Sequence, residues 1–149
     1  MRQRPAASST LTAALLAAAF VAGCGGGISL DEPIEGPVWH LDQLAGETVP
    51  PGTDPRRDPQ VQFDRSGRVV GSGGCNQLSG SFERNGSSLR LSQLASTRMA
   101  CADPLRAAKE AQFFAALQSA ASYRLQGSSH MALLDAGGNT IAAFSTQER

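Results

Sequence analysis

Histidine is nearly missing from this chain of 149 residues, which holds two, His40 and His130. They lie far apart in sequence and each falls near an expected strand. A nucleophilic cysteine needs a nearby base and a group to orient it, and neither histidine is placed for that. Lysine is scarcer still, with Lys109 the only one among 13 basic residues. The 13 acidic residues balance them, so no basic field exists to attract nucleic acid. Close-spaced metal ligands are also lacking, since Cys75 and Cys101 are 26 positions apart with no histidine beside either. Gly71, Gly73, Gly74 and Gly80 have no P-loop lysine and lead into no helix, so they do not form a phosphate cradle. They fit positive φ, a bulge or close strand approach instead. Paired carboxylates for acid–base work are not apparent either: Asp54 and Asp58 fall in a proline-rich loop. The expectation is a non-enzymatic protein with no cofactor and no metal.

One long apolar run is present, at the N-terminus. Arg2 and Arg4 precede an apolar stretch from Leu11 to Val21, too short to cross a bilayer. Small residues follow, as in a secretory signal. Val21-Ala22-Gly23-Cys24 resembles the lipobox of bacterial lipoproteins. That resemblance implies cleavage before Cys24 and acylation of its thiol. Two or three acyl chains, palmitate among them, anchor stably where one would be marginal. Gly25 follows in place of aspartate, which in such proteins points toward the outer membrane. The expected location is the cell envelope, lipid-anchored and facing the periplasm. The expected partners are the membrane and an unidentified envelope protein, with the domain a monomer.

Without Arg2 and Arg4, eleven basic residues face thirteen acidic ones in residues 24–149. With Cys24 lipidated, Cys75 and Cys101 remain. An even pair in an exported protein reads as a disulfide. The loop it closes contributes roughly 3.5 kcal/mol in the chain-entropy model.

Residues 24–36, CGGGISLDEPIEG, read as a flexible tether. The domain is expected over 37–149. Strands are expected at 37–44, with Trp39, Leu41 and Gln43 on one face, and at 61–63, 68–71 and 81–84. Asn85-Gly86 has the form of a two-residue hairpin turn, and 88–94 alternates. The proline-rich segment 45–59 reads as loop, and 95–102 as irregular. Asp103 stands where an N-cap belongs and Pro104 at the first helical position. Leu105, Ala108, Phe113, Phe114 and Leu117 recur at helical spacing to about residue 120. Strands at 122–126, 130–134 and 140–144 close the chain. The class is α+β: an antiparallel, partly barrel-like sheet of about eight short strands with one main helix.

Three motifs occur together: Trp39-x-Leu41-x-x-Leu44, Gly71-x-x-Gly74-Cys75-Asn76-x-x-x-Gly80-x-Phe82, and Thr97-Arg98-Met99-x-Cys101 ahead of the helix. This arrangement resembles the META/HslJ family of bacterial envelope proteins, over about residues 37–144. The resemblance implies an α+β, partly barrel-like domain, often exported and lipid-anchored, associated with heat stress and novobiocin tolerance. It implies no established reaction. Family members often carry a glutamate ahead of the apolar helix face, and Glu110 is the candidate here. Asn76 and Arg98 are the polar residues of most interest. Asn76 suits hydrogen bonding within its own loop, and the five donors of Arg98 suit bracing the Cys101 loop. The alternative for both is contact with a partner.

Overall fold

The computed structural model describes residues 33–146. The expected leader at 1–23, the lipid attachment at Cys24 and residues 24–32 of the tether lie outside them. The elements in chain order are β1 (Val38–Leu44), β2 (Glu47–Thr48), a 3₁₀ turn (Pro55–Arg57), β3 (Gln60–Phe63) and β4 (Arg68–Ser72). They continue with β5 (Gln77–Asn85), β6 (Ser88–Ser96), α1 (Pro104–Ser119), β7 (Ser122–Gln126), β8 (His130–Leu134) and β9 (Thr140–Ser145).

The strands hydrogen-bond in the order β2-β1-β3-β4-β5-β6-β7-β8-β9, and β1 pairs with β9 as well. All the ladders are antiparallel, and the pairing of β1 with β9 closes the sheet into a ring. The ring is uneven. Ser88 with Ser122 is the single register pair joining β6 to β7, where β7 and β8 share five. Helix α1 packs on β6, β1 and β9. Because β6 lies opposite β1 and β9 around the ring, the helix spans its opening. The α+β class and one main helix are as expected, and the extra strand is the two-residue β2.

Alternation fills the interior. Trp39 and Leu41 from β1, Val61 and Phe63 from β3, Leu89 and Leu91 from β6, and Met131 and Leu133 from β8 are all buried. Phe63 and Phe82 meet edge to face with centroids 4.9 Å apart. From the helix, Phe113 reaches Phe144 at 6.1 Å. Stripping such an aromatic from a core costs about 3–5 kcal/mol.

Local departures from the expected pattern have local causes. Leu44, not Gln43, points inward, because the register against β9 shifts between Leu41 and Gln43 and inverts the alternation. Strand β5 begins four residues earlier than expected and β6 runs on to Ser96, with Leu78 paired to Ser96. Between them lies a bulge where Gly80 faces Gln93 and Leu94, and Gln93 takes φ of 52°. A Cβ at Gly80 would sit 2.7 Å from Leu94 Cδ2 and 2.9 Å from the Ser92 carbonyl oxygen, so only glycine fits. The hairpin loop is Gly86-Ser87 instead of Asn85-Gly86, since Asn85 pairs with Ser88. Positive φ is confined there to Gly86, and glycine first in a two-residue loop suits a type II′ turn.

The expected tether is partly domain. Ile34 is fully buried, and its carbonyl accepts from Trp39 Nε1 at 2.9 Å. Glu35 bridges to Phe63, and the Gly36 amide donates to the Phe63 carbonyl at 2.9 Å. Packed structure therefore precedes Pro37.

Helix α1 starts as its sequence dictates. Asp103 Oδ1 accepts from the Leu105 amide at 2.9 Å, with Pro104 next to it. The buried face is Glu110, Phe113 and Leu117. Leu105, expected on that face, is 79% exposed, and Ala108 is exposed too. At 3.6 residues per turn Leu105 lies about 140° round the axis from Glu110.

Candidate functional site

The GSGGCN stretch leaves β4 and turns into β5. The Gly73 amide donates to the Asn76 carbonyl at 2.8 Å, and the Gly74 amide to Ser72 Oγ at 3.1 Å. Helix α1 lowers Glu110, 7% exposed, directly onto this turn. Glu110 Oε2 accepts from the backbone amides of Cys75 at 2.9 Å and Asn76 at 2.6 Å. Its Oε1 accepts from Asn76 Nδ2 at 2.6 Å. Gly73 lies so close that a Cβ there would be 2.5 Å from Glu110 Cγ. The glycine is required by the carboxylate's approach.

Asn76 passes the connection on. Its Oδ1 accepts from the Met99 amide at 2.8 Å and from Thr97 Oγ1 at 2.9 Å. Thr97 Oγ1 in turn accepts from the Gln77 amide at 3.1 Å. One carboxylate and one carboxamide thus join the β4–β5 turn, the β6–α1 connection and the helix. Cys75 and Cys101 form a disulfide across the same gap, with Cα atoms 5.7 Å apart. That spacing suits a bridge.

The donors on Glu110 are neutral, and none of the ion pairs among the described residues includes it. Burying a carboxylate is costly unless hydrogen bonds replace its water, and here both oxygens are engaged. One residue earlier, Lys109 pairs with Glu47 of β2. The Lys109 hydrogen bond holds the Glu47 carboxyl below its ordinary pKa, aided by the lysine's charge.

The sequence matches the META domain family over residues 32–148. This chain belongs to the META domain family. No significant match was found among curated proteins. An NMR structure of a protein from Burkholderia xenovorans is similar, at 25% identity and a TM-score of 0.60, covering 78% of this chain and 85% of its own. A crystal structure of a duf4847 family protein from Bacteroides vulgatus shares the fold at 15% identity and a TM-score of 0.58, covering 78% and 96%. Another NMR structure shares it at 24% identity and a TM-score of 0.58, covering 74% and 88%.

Within this META domain the residues singled out from sequence part company. Cys75, Cys101 and Asn76 come together. Arg98 does not join them: it is exposed and forms no hydrogen bond or ion pair among the described residues. The brace expected of its guanidinium is made by Asn76, acting on the neighbouring Met99 backbone. His40 and His130 both flank Ser145 in the ladders of β1–β9 and β8–β9. Ser145 Oγ donates to Asp42 Oδ1 at 3.1 Å, and His130 Nδ1 lies 3.0 Å from Ser129 Oγ. Neither histidine hydrogen-bonds to Asn76, Glu110 or a cysteine. Among the described residues no three His, Cys, Asp or Glu side chains are grouped as metal ligands would be. Glu110, flagged from sequence only as a family feature, is the centre of the site. Its signal was a charged residue in register with Phe113 and Leu117 on the apolar face.

Proposed function

We propose that this META domain is a non-catalytic, lipid-anchored module of the bacterial cell envelope, supporting envelope integrity under stress. The observation that carries the reading is how the polar cluster is used. The Cys75 sulfur is held in a disulfide and both Glu110 oxygens accept from the turn below them. The groups best suited to chemistry hold the domain's own loops in place. The anchor rests on the lipobox-like sequence ending at Cys24. A disulfide between Cys75 and Cys101 suits an oxidising compartment. Deleting the gene should lower tolerance of heat, detergent and novobiocin; a deletion strain with unchanged tolerance would sink the proposal. C24A should release the protein from membranes into the soluble periplasmic fraction.

A second reading, a binding module for an envelope partner, has its own support. Met99 is 62% exposed and Leu105 is 79% exposed, close in sequence to Cys101 on either side. A disulfide and a hydrogen-bonded network hold the segment carrying Met99 without covering its side chain. In-cell crosslinking from Met99 that recovers no specific partner would refute this reading.

A further inference from the structure

Apolar side chains exposed on a lipid-anchored domain suit either a bilayer or a protein, and Met99 and Leu105 are such side chains. Both lie at one end of the ring. Asn76 Oδ1 accepts from the Met99 amide, and the next residue, Gln77, opens β5. The disulfide ties the Gly73–Asn76 turn to Cys101, two residues ahead of the cap of α1, so the first turn of the helix shares this end.

The chain enters the domain at the other end. Glu35 Oε1 accepts from Arg84 Nε at 3.3 Å, one residue before β5 closes. The Gly36 amide donates to the carbonyl of Phe63, where β3 ends, while Gln60 at its start pairs with Ser72 beside the Gly73–Asn76 turn. Two strands thus give the same order. Gln77 and Arg84 stand roughly 23 Å apart at the rise of a β-strand. The entry is also pinned: Ile34 is fully buried, and Gln62 Nε2 donates to the Gly36 carbonyl at 2.7 Å. Between this fixed point and the bilayer stand the nine residues 24–32, which reach at most about 30 Å fully extended. With the Arg84 end down, the domain meets the lipid without drawing on that length. Turning it over lifts the entry by the length of β5 and takes most of the reach, at a cost in conformational entropy.

We propose that the short link to Cys24 turns the Met99 end away from the membrane, so that Met99 and Leu105 serve a protein partner in the periplasmic space and not the bilayer. The inference rests on the lipid anchor proposed above, and it gives the surface of the second reading a direction. The thioether of Met99 adapts to varied apolar contacts. Leu105, Ala108, Gln112 and Ala115, all exposed on α1, carry no charge. The partner's contribution is therefore an apolar patch.

The test is amide NMR of the mature lipidated protein, disulfide intact, in lipid nanodiscs doped with a paramagnetic headgroup lipid. The amides of Ser66 and Ser87, in the turns at the Arg84 end, should broaden, while those of Gly74, Met99 and Leu105 keep their intensity. A variant with about twenty Gly and Ser residues inserted after Gly27 has a link averaging roughly 30 Å, longer than β5, and should even out the difference. The proposal is overturned if Met99 and Leu105 broaden as much as Ser66 and Ser87, which would make the bilayer their partner. It is equally overturned if the lengthened variant keeps the parent's difference, since the link would then not set the direction. C24A should show no broadening at either end. Broadening in C24A, or none in the lipidated parent, would refute the anchor and this inference with it, whereas broadening at Met99 in the parent alone refutes only the direction.

Discussion

Replacing Glu110 by glutamine changes one atom in shape and tests the whole network. The new carboxamide can still offer its oxygen to the amides of Cys75 and Asn76, which Glu110 now holds at 2.9 and 2.6 Å. Its nitrogen must then face Asn76 Nδ2, held at 2.6 Å by the present carboxylate. Two donors would be opposed. Asn76 cannot relieve the clash by flipping, because its Oδ1 is committed to Met99 and Thr97. The loss of one charge-assisted hydrogen bond in a buried site is about 1.5–3 kcal/mol. At roughly 4 °C per kcal/mol for a domain of this size, E110Q should melt about 6–12 °C below the parent. N76D alone should also destabilise, by placing a second carboxylate against Glu110. Combining E110Q with N76D restores a donor opposite an acceptor. The new carboxylate accepts from the new carboxamide while its other oxygen keeps Met99 and Thr97. The double variant should therefore be more stable than the two single losses would sum to, by at least about 1 kcal/mol of coupling in a denaturant-based cycle. An E110Q variant within about 0.5 kcal/mol of the parent, or strictly additive losses, would refute the assigned network.

The other expectations follow from the same geometry. C75S should lower stability by about 2–5 kcal/mol under oxidising conditions, measured by urea unfolding, with no further loss on adding reductant. R98A should leave stability within about 0.5 kcal/mol of the parent, since its side chain is exposed and unpaired. Asp135 carries a pH signature: the Asn139 amide, the Asn139 side chain and neighbouring amides hold its carboxyl below the ordinary aspartate range. A depressed folded pKa contributes stability above the unfolded value that is lost as pH falls through the folded one. The parent should exceed D135N in stability near neutral pH, and the gap should close on acidification below about pH 4; a gap independent of pH would count against the loop geometry.

The fold was legible where the chain signals locally. Asp103-Pro104 marks the helix start because cap and first turn are neighbours in sequence. Alternation marks most strands because side chains on a pleated strand repeat every two residues. The misses share one cause. The register shift at Leu41–Gln43, the bulge at Gln93 and the pairing of Leu78 with Ser96 are set by the partner strand. Nothing in the residues themselves announces them. Ile34 was assigned to a tether because glycine, proline and acids surround it, yet the Trp39 indole and the Phe63 backbone dock its segment. At the site, Cys75, Cys101 and Asn76 were visible as types. The geometry of Glu110 was not, since its contacts span 34 and 35 residues. Arg98 misled because a guanidinium suits bracing in general, while here a shorter side chain across the gap already does it.

Disulfide and network act on different states of the chain. In the chain-entropy model a bridge between Cys75 and Cys101 raises the free energy of the unfolded ensemble and says little about native register. The Glu110–Asn76 network exists only in the folded state and fixes register at particular atoms. Through Asn76 it holds Met99 and, together with the Gln77 backbone, Thr97, both of which lie before the bridged cysteine. Neither device replaces the other. Opening the bridge should leave 97–99 seated, whereas disabling Glu110 should loosen that segment with the bridge intact. A domain that kept this segment only for stability would be served by the bridge and an apolar contact. Two devices converging on a connection that leaves Met99 62% exposed fit a surface held ready for something outside the domain.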